Sequence, residues 1–199
     1  MRYFKLLLLL LSSFIFIGCF IPERRLYFSW NKPIEKTDIC NYDFNIKNTN
    51  MQLIKTDRGL IFDFNDEIYY RIGADKPYNI KEYSYIVNEI ISFMSNNKKS
   101  ILIVEGHADT IGNNRENINL RLSERRASVI RDVIISSGIY YNRVKIFAYS
   151  DIMPKYTSNT YRNRRVDFLA LKCDEELNDY MMFYSNYGVN NTSNYFEEK

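Results

Sequence analysis

The chain has 199 residues, of which 46% are hydrophobic and 26% charged, and its formal net charge is +3. This composition is typical of a globular domain and excludes a collagen-like, wholly disordered or polytopic membrane protein. Two positive charges, Arg2 and Lys5, fall in a predicted leader, so the remainder is close to neutral. Because it also lacks a basic block, we expect no nucleic-acid partner.

Residues 1–18 have the pattern of a bacterial export signal. Two basic residues precede the apolar run Leu6–Ile17. As a helix this run would be about 18 Å long, too short for a hydrocarbon core of roughly 30 Å. It ends at Gly18-Cys19, which resembles the lipobox, where the cysteine is lipidated. We therefore predict a lipoprotein signal peptide at 1–18 and lipidation of Cys19, with an ordinary secreted protein or an uncleaved anchor as alternatives.

The other two cysteines are Cys40 and Cys173. Export would place them in an oxidising compartment, where they could form a disulfide, but two thiols without geometry leave their pairing open. The chain has no C-x-x-C pair, and His107 is its only histidine. We therefore expect no zinc site and no cofactor.

The first half of the chain predicts a linker, a hairpin and a helix. Residues 19–50 contain two prolines and lack sustained periodicity, which favours a linker. Met51–Lys55 and Leu60–Phe64 flank a turn-forming T-D-R-G stretch, and Ile68–Tyr70 is a further short strand candidate. A helix is predicted from Pro77 to the Asn96-Asn97 stop, with its apolar residues at helical spacing: Ile80, Tyr83, Val87, Ile90, Ile91 and Met94.

The second half alternates strands with a helix. Ile101–Val104 is a short apolar run typical of a buried strand, and a loop of Gly, Asn and Asp follows at residues 106–114. The next helix is predicted over Glu116–Ser137, where Gly138 ends it. Val144–Tyr149 and Arg165–Leu171 are the last strands. This order predicts an α+β fold with helices on one face of a mixed sheet. Residues 173–199 are acidic and rich in Tyr and Asn, and we expect this tail to be mostly mobile.

Arg126 is the most informative residue of the second helix. Helical spacing places it on the core-facing side, among Leu122, Val129, Ile130 and Val133. Burial of an unpaired guanidinium is costly, and Asp109, in the loop before this helix, is its natural partner. Two interpretations remain open: a salt bridge that fixes the loop, or a cleft that binds the ammonium and carboxylate of an amino acid. Arg164 and Arg165 would either add a second positively charged side to this cleft or only protect a strand edge from pairing with another chain.

Three motifs resemble the OmpA-like C-terminal domain that Pal and MotB share. They are V-E-G-H-A-D-T-I-G at 104–112, N-L-R-L-S-E-R-R-A at 119–127 and N-R-R-V at 163–166. The family pattern is E-G-H-T-D-x-x-G, N-x-x-L-S-x-x-R-A and N-R-R-V, in the same order. The resemblance covers about residues 51–172. It implies an OmpA-like βαβαβ sandwich, with two main helices on one face of a mixed sheet and a short hairpin before it.

The same resemblance implies non-covalent binding of peptidoglycan through the diamino acid of its stem peptide. It assigns the amino group to Asp109, the carboxylate to Arg126 and a supporting contact to Arg164. The motifs also make Asn119, Leu122 and Arg165 candidate binding residues. Ala108 stands where the family usually has Thr, and the surrounding loops differ in length, so the preferred diamino acid stays open. His107 is interpreted as structural.

Together these patterns predict a lipid-anchored tether between the outer membrane and the cell wall, with its domain facing the periplasm. Its expected partners are the stem peptide, the membrane through Cys19, and other envelope proteins as further candidates. The alternative is an OmpA-like fold used as a protein interaction module without wall binding. We expect no enzyme, because one histidine cannot supply a zinc amidase site and Glu105 beside Asp109 is weak evidence for a glycosidase pair.

Overall fold

The computed structural model describes residues 40–41, 43–46, 51–110, 115–157 and 160–186. The predicted signal peptide, Cys19 and most of the predicted linker lie outside these residues. No helix in the described ranges is long and apolar enough to cross a membrane.

Five strands form one mixed sheet in the order β1-β2-β5-β3-β4. Only β3 and β4 run parallel, and the other neighbours are antiparallel. The strands are β1 Met51–Thr56, β2 Gly59–Phe64, β3 Ile101–Gly106, β4 Val144–Ala148 and β5 Val166–Leu171. The helices are α1 Ile80–Asn96, α2 Arg115–Ser136 and α3 Asp174–Asn186, with short 3₁₀ helices at Tyr141–Arg143 and Thr160–Asn163. The predicted OmpA-like fold is confirmed.

The predicted hairpin is formed by β1 and β2. Its register runs from Met51 opposite Phe64 to Thr56 opposite Gly59. Gly59 has a φ of 134°, which a residue with a side chain rarely adopts, and the Thr56 hydroxyl donates a hydrogen bond to its carbonyl. The turn chemistry of T-D-R-G therefore closes the hairpin. The Ile68–Tyr70 segment makes only isolated bridges, from Tyr69 to Arg165 and from Tyr70 to Pro77.

Helices α1 and α2 pack on one face of the sheet, which we call the inner face. The first helix begins at Ile80 rather than Pro77, and Ile80 itself is exposed instead of part of the core. The second helix buries a row that differs from the predicted one, because Val129 and Val133 are partly exposed. The buried row of α2 is Asn119, Leu122, Ser123, Arg126, Ala127, Ile130 and Ile134. Arg126 faces the core, as its spacing predicts.

The prediction of a mobile tail is wrong for residues 174–186, which form α3. This helix packs on the opposite, outer face of the sheet, where Tyr180 and Tyr184 are buried against Phe147 and Tyr149. Cys40 and Cys173 form a disulfide, with a Cα–Cα distance of 5.4 Å, and this bond fixes the segment before β1 to the start of α3. Both faces of the sheet are therefore covered, although only the inner layer is apparent from the sequence.

Candidate functional site

The three motifs come together where β3 ends on the inner face. The loop after β3 carries His107 and Asp109, and α2 crosses directly beneath the end of β3. A Cβ on Gly106 would lie 1.9 Å from the carbonyl oxygen of Ser123 in α2, so only glycine permits this approach. Arg164, just before β5, completes the group. Residues far apart in the chain thus form one polar cluster.

Asp109 forms its direct ion pair with Arg164. The Nη1 of Arg164 donates to Oδ2 of Asp109 at 2.5 Å, and its Nε donates to the carbonyl of Tyr70 at 2.7 Å. The two charged side chains are only 8% and 12% exposed. The salt bridge between Asp109 and Arg126, one of the two interpretations that the sequence leaves open, is therefore not formed, and Asp109 pairs with Arg164 instead. A charge-assisted pair with so little exposure fixes the orientation of both groups.

Arg126 is fully buried and donates only to backbone carbonyls. Its Nη1 donates to His107 O at 2.7 Å, its Nε to Ala74 O at 3.0 Å and its Nη2 to Arg71 O at 3.4 Å. Its guanidinium carbon lies 4.7 Å from the centre of the Tyr70 ring. Burial lowers the pKa of Arg126 to about 10, although Tyr70 and Asp109 oppose the shift. The group is still a cation at neutral pH, and it adds one uncompensated charge behind the ion pair.

Two polar atoms of the ion pair have no hydrogen-bond partner among the described residues. Among the described residues, nothing hydrogen-bonds Oδ1 of Asp109 or Nη2 of Arg164, and neither atom is sealed from water. One is an anionic acceptor and the other a cationic donor. The cluster therefore presents adjacent acid and base atoms to a ligand that carries both charges.

The remaining predicted residues have different positions relative to this cluster. The amide nitrogen of Asn119 donates to the backbone carbonyl of Asp109 at 2.9 Å, so Asn119 supports the loop from beneath. Leu122 is 6% exposed and belongs to the buried row of α2. Arg165 differs from its neighbour, because its Nε and Nη2 both contact Asp167 at 2.9 Å and its Nη2 also reaches Met153 O. The structure thus separates Arg165 from the Asp109 cluster.

The outer face contains a second charged network under α3. Glu105 is fully buried, where it accepts hydrogen bonds from Arg58 at 2.5 Å and from the Tyr180 hydroxyl at 2.7 Å. It therefore shares no cleft with Asp109. His107 is 1% exposed, stacks on Tyr149 and makes no hydrogen bond through either ring nitrogen. Burial and the charge of Arg165 lower the pKa of His107, so the ring is neutral.

Within this network, Glu105, His107 and Asp167 lie close enough together to hold a metal ion. Arg58 already pairs with Glu105, and Arg165 pairs with Asp167. Two guanidinium groups thus neutralise the two carboxylates, and a divalent ion would leave the buried group with excess positive charge. We interpret the outer network as structural.

The sequence did not reveal the segment that surrounds Arg126. The carbonyls of Arg71 and Ala74 and the ring of Tyr70 belong to the connection between β2 and α1. This connection contains one glycine and three tyrosines, of which Tyr69 and Tyr70 are adjacent, and a backbone acceptor has no side-chain pattern. The exposed ring of Tyr161, near Arg164, was also missed.

Residues 77–167 match the OmpA family. The chain is 21% identical over 175 residues to the peptidoglycan-associated lipoprotein of Buchnera aphidicola subsp. Baizongia pistaciae, which covers 82% of this chain and 94% of that protein. Outer membrane porin F of Pseudomonas aeruginosa is 32% identical over 90 residues, which are 44% of this chain and only 25% of the porin.

Among solved structures, the periplasmic domain of Helicobacter pylori MotB matches with a TM-score of 0.52 and 16% identity. The match covers 74% of this chain and 98% of the MotB chain. Residues 77–167 therefore form an OmpA-like domain related to that of Pal, and its fold is also that of the MotB periplasmic domain. None of these three relatives is named as an enzyme.

Proposed function

We propose that this chain is a lipid-anchored envelope protein whose OmpA-like domain binds peptidoglycan non-covalently and tethers the outer membrane to the cell wall. The similarity to a peptidoglycan-associated lipoprotein over 94% of that protein's length supports this proposal. The anchor is the predicted lipid on Cys19. Several acyl chains there would hold the protein stably, since each buried methylene adds about 0.8 kcal/mol.

The observation that carries the proposal is the adjacent pair of open atoms, Oδ1 of Asp109 and Nη2 of Arg164. A free amino acid head group has the complementary charges. Its ammonium would donate to Asp109, and its carboxylate would accept from Arg164. The diamino acid of the stem peptide carries such a head group at its free end, which makes it the best match for this cluster.

Arg126 has a different role in this proposal from the one its motif suggests. Because it is fully buried, it cannot reach a ligand without movement of the loop that covers it. It instead positions the loop through His107 O and contributes a positive charge from behind the site. That charge favours a ligand carboxylate even where no hydrogen bond is made.

The expected affinity of a single site is modest. Two or three charge-assisted hydrogen bonds, each of about 1.5–3 kcal/mol, are offset by the entropy of association and give micromolar to millimolar dissociation constants. Many anchored copies that face one polymeric wall act together through avidity. A weak site is therefore compatible with a stable tether.

A second candidate function is a protein interaction module that does not bind the wall. The direct pairing of Asp109 with Arg164 favours it, because each charge already has a partner and a ligand would have to compete. In that case the pair would only stabilise the loop.

Co-sedimentation with peptidoglycan purified from the organism itself tests the proposal. The full chain, kept in mild detergent, should pellet with the wall, whereas Asp109→Asn and Arg164→Gln should remain in the supernatant. Both substitutions remove a charge and keep a polar side chain; Asp109→Asn also keeps its size, whereas Arg164→Gln shortens it.

Two matched controls on the exposed surface of α2 are Asp132→Asn and Arg131→Gln, which remove the same charges from an exposed pair. Both should pellet like the parent. If the parent fails to pellet although it is folded, the interaction-module hypothesis replaces wall binding. If the two site variants pellet as well as the controls, the site assignment is wrong.

A further inference from the structure

A band of aromatic and basic side chains leads away from the ion pair. The ring of Tyr161 is 52% exposed and lies 5.9 Å from the guanidinium carbon of Arg164. The ring of Tyr69 follows, at 6.3 Å from that of Tyr161. Beyond it stands Arg162, whose guanidinium carbon is 5.7 Å from the Tyr69 ring. These side chains form a continuous surface from the proposed site outward, which we call the tyrosine band.

Its neighbours hold Arg162 in one orientation, but one nitrogen of its guanidinium has no hydrogen-bond partner among the described residues. Its guanidinium carbon lies 4.0 Å from the centre of the Tyr156 ring. Its Nε donates to the Tyr69 hydroxyl at 3.0 Å, and its Nη2 donates to Glu67 at 3.2 Å. Among the described residues, nothing hydrogen-bonds its Nη1, and the side chain is 33% exposed. A preoriented guanidinium with an open edge is suited to a second carboxylate.

Two basic side chains share one carboxylate beside Arg162. Glu67 is the single carboxylate of the cluster, and it receives hydrogen bonds from both Lys155 and Arg162 as well as from two tyrosine hydroxyls. One negative charge therefore faces two positive charges. Because Arg126 adds another positive charge behind the ion pair, the pocket and the band both favour an acidic ligand.

We propose that the tyrosine band is a second contact for the same ligand, in which Tyr161 packs against the residue beside the diamino acid and Arg162 binds that residue's free carboxylate. This inference rests on the proposed function. The head group at Asp109 and Arg164 is the free end of the diamino acid, and the preceding residue is attached at its other end. The carbon chain of the diamino acid would therefore lead from the ion pair towards Tyr161, whose ring lies 5.9 Å from the guanidinium carbon of Arg164. The band would thus select a stem peptide whose diamino acid follows a glutamyl residue with a free carboxylate, over one in which that carboxylate is amidated.

Calorimetric titration of the full chain tests this inference with three probes. They are the free diamino acid of the organism's own wall, the glutamyl dipeptide with a free carboxylate, and the same dipeptide with that group amidated. The parent should bind the acidic dipeptide roughly three- to tenfold more tightly than the amidated one. Arg162→Gln should abolish this preference and leave the affinity for the free diamino acid unchanged.

Tyr161→Phe and Tyr161→Ala separate the ring from its hydroxyl. The alanine variant should lose affinity for both dipeptides, and the phenylalanine variant should bind them like the parent. If the parent binds the diamino acid but does not distinguish the two dipeptides, the band is only structural and the proposed function still stands. If none of the three probes binds, both proposals are wrong.

Discussion

The two faces of the sheet hold clusters with similar charges but different access to solvent. On the outer face, Arg58 with Glu105 and Arg165 with Asp167 form two pairs beneath α3. On the inner face, Asp109 pairs with Arg164 while Arg126 lies behind them. Both oxygens of the outer carboxylate Glu105 accept hydrogen bonds, whereas one acceptor and one donor of the inner pair have no partner within the part of the chain that the structure describes.

This difference identifies the inner cluster as the better candidate for binding. Charge alone would predict a binding site at both clusters, and the outer cluster also contains the only histidine of the chain. What separates them is the number of unused hydrogen-bonding atoms that reach water. Substitutions in the outer cluster should therefore reduce stability, and those in the inner cluster should chiefly reduce binding.

The largest expected effect is that of Glu105→Ala. It leaves Arg58 without its partner and the Tyr180 hydroxyl without its acceptor. Loss of one member of a buried ion pair costs about 3–5 kcal/mol of unfolding free energy. Urea denaturation measures this change. Asp109→Asn, in the open cluster, should cost only about 1–2 kcal/mol, and the reverse order would contradict the comparison.

Removal of the disulfide should have the next largest effect. Cys40→Ser with Cys173→Ser frees a crosslink between residues 133 positions apart in the chain. The unfolded chain gains freedom, which lowers stability by about 2–4 kcal/mol. The near-ultraviolet circular dichroism of the tyrosines under α3 should weaken, and wall retention at low temperature should persist. Loss of retention in a folded double variant would show that the outer face affects the site.

Acidification should weaken the fold through His107. The pKa of His107 is lower in the folded state than in the unfolded chain, where it is about 6.5. Its contribution to the free energy of unfolding is therefore complete above pH 6.5 and is lost as the pH falls below that value. The loss reaches at most about 1.4 kcal/mol per pH unit.

Asp167 contributes to the pH dependence of the free energy of unfolding only at lower pH. Although burial raises its pKa, the positive charge of Arg165 holds that pKa well below its usual range. Its contribution is therefore lost only below about pH 4. His107→Gln should flatten the stability curve between pH 6.5 and 5 and leave the drop below pH 4. An unchanged curve between pH 6.5 and 5 would contradict the neutral, buried histidine.

The smallest expected effect is at Ser150, which has a φ of 51° in the turn after β4. Left-handed backbone is strained for a residue with a side chain, so Ser150→Gly should stabilise the fold by about 0.5 kcal/mol. Ser150→Ala keeps the strain and loses the hydrogen bond to Asp151, and it should therefore destabilise. Thermal unfolding distinguishes the two variants, and equal effects would exclude a role for backbone strain.

The sequence predicts the inner layer of the fold well because its signals are local. Periodicity placed Arg126 on the buried side of its helix, and three motifs gave the order of the elements. The motif assigns the supporting contact to Arg164 but also leaves Arg165 as a candidate, and only the structure shows that these adjacent residues contact different partners, Asp109 and Asp167. The sequence could not reveal the carbonyls that bind Arg126, because backbone acceptors leave no trace in the sequence.

The missed helix α3 has a physical explanation. Its acidic and Asn-rich composition suggests a solvated tail, and its apolar surface is a narrow stripe at Leu177, Tyr180 and Tyr184. These residues are spaced by three and four positions, which is the helical signal that composition obscured. The disulfide, whose pairing the sequence left open, fixes the start of this helix.

Release from the wall by soluble ligands tests the central claim most directly. Parent protein bound to purified peptidoglycan is washed with the free diamino acid or with the same compound after acetylation of its amino groups. Only the free diamino acid should release the protein, because Asp109 requires an ammonium and Arg164 a carboxylate. Equal release by both compounds, or by neither, would contradict recognition of the amino acid head group.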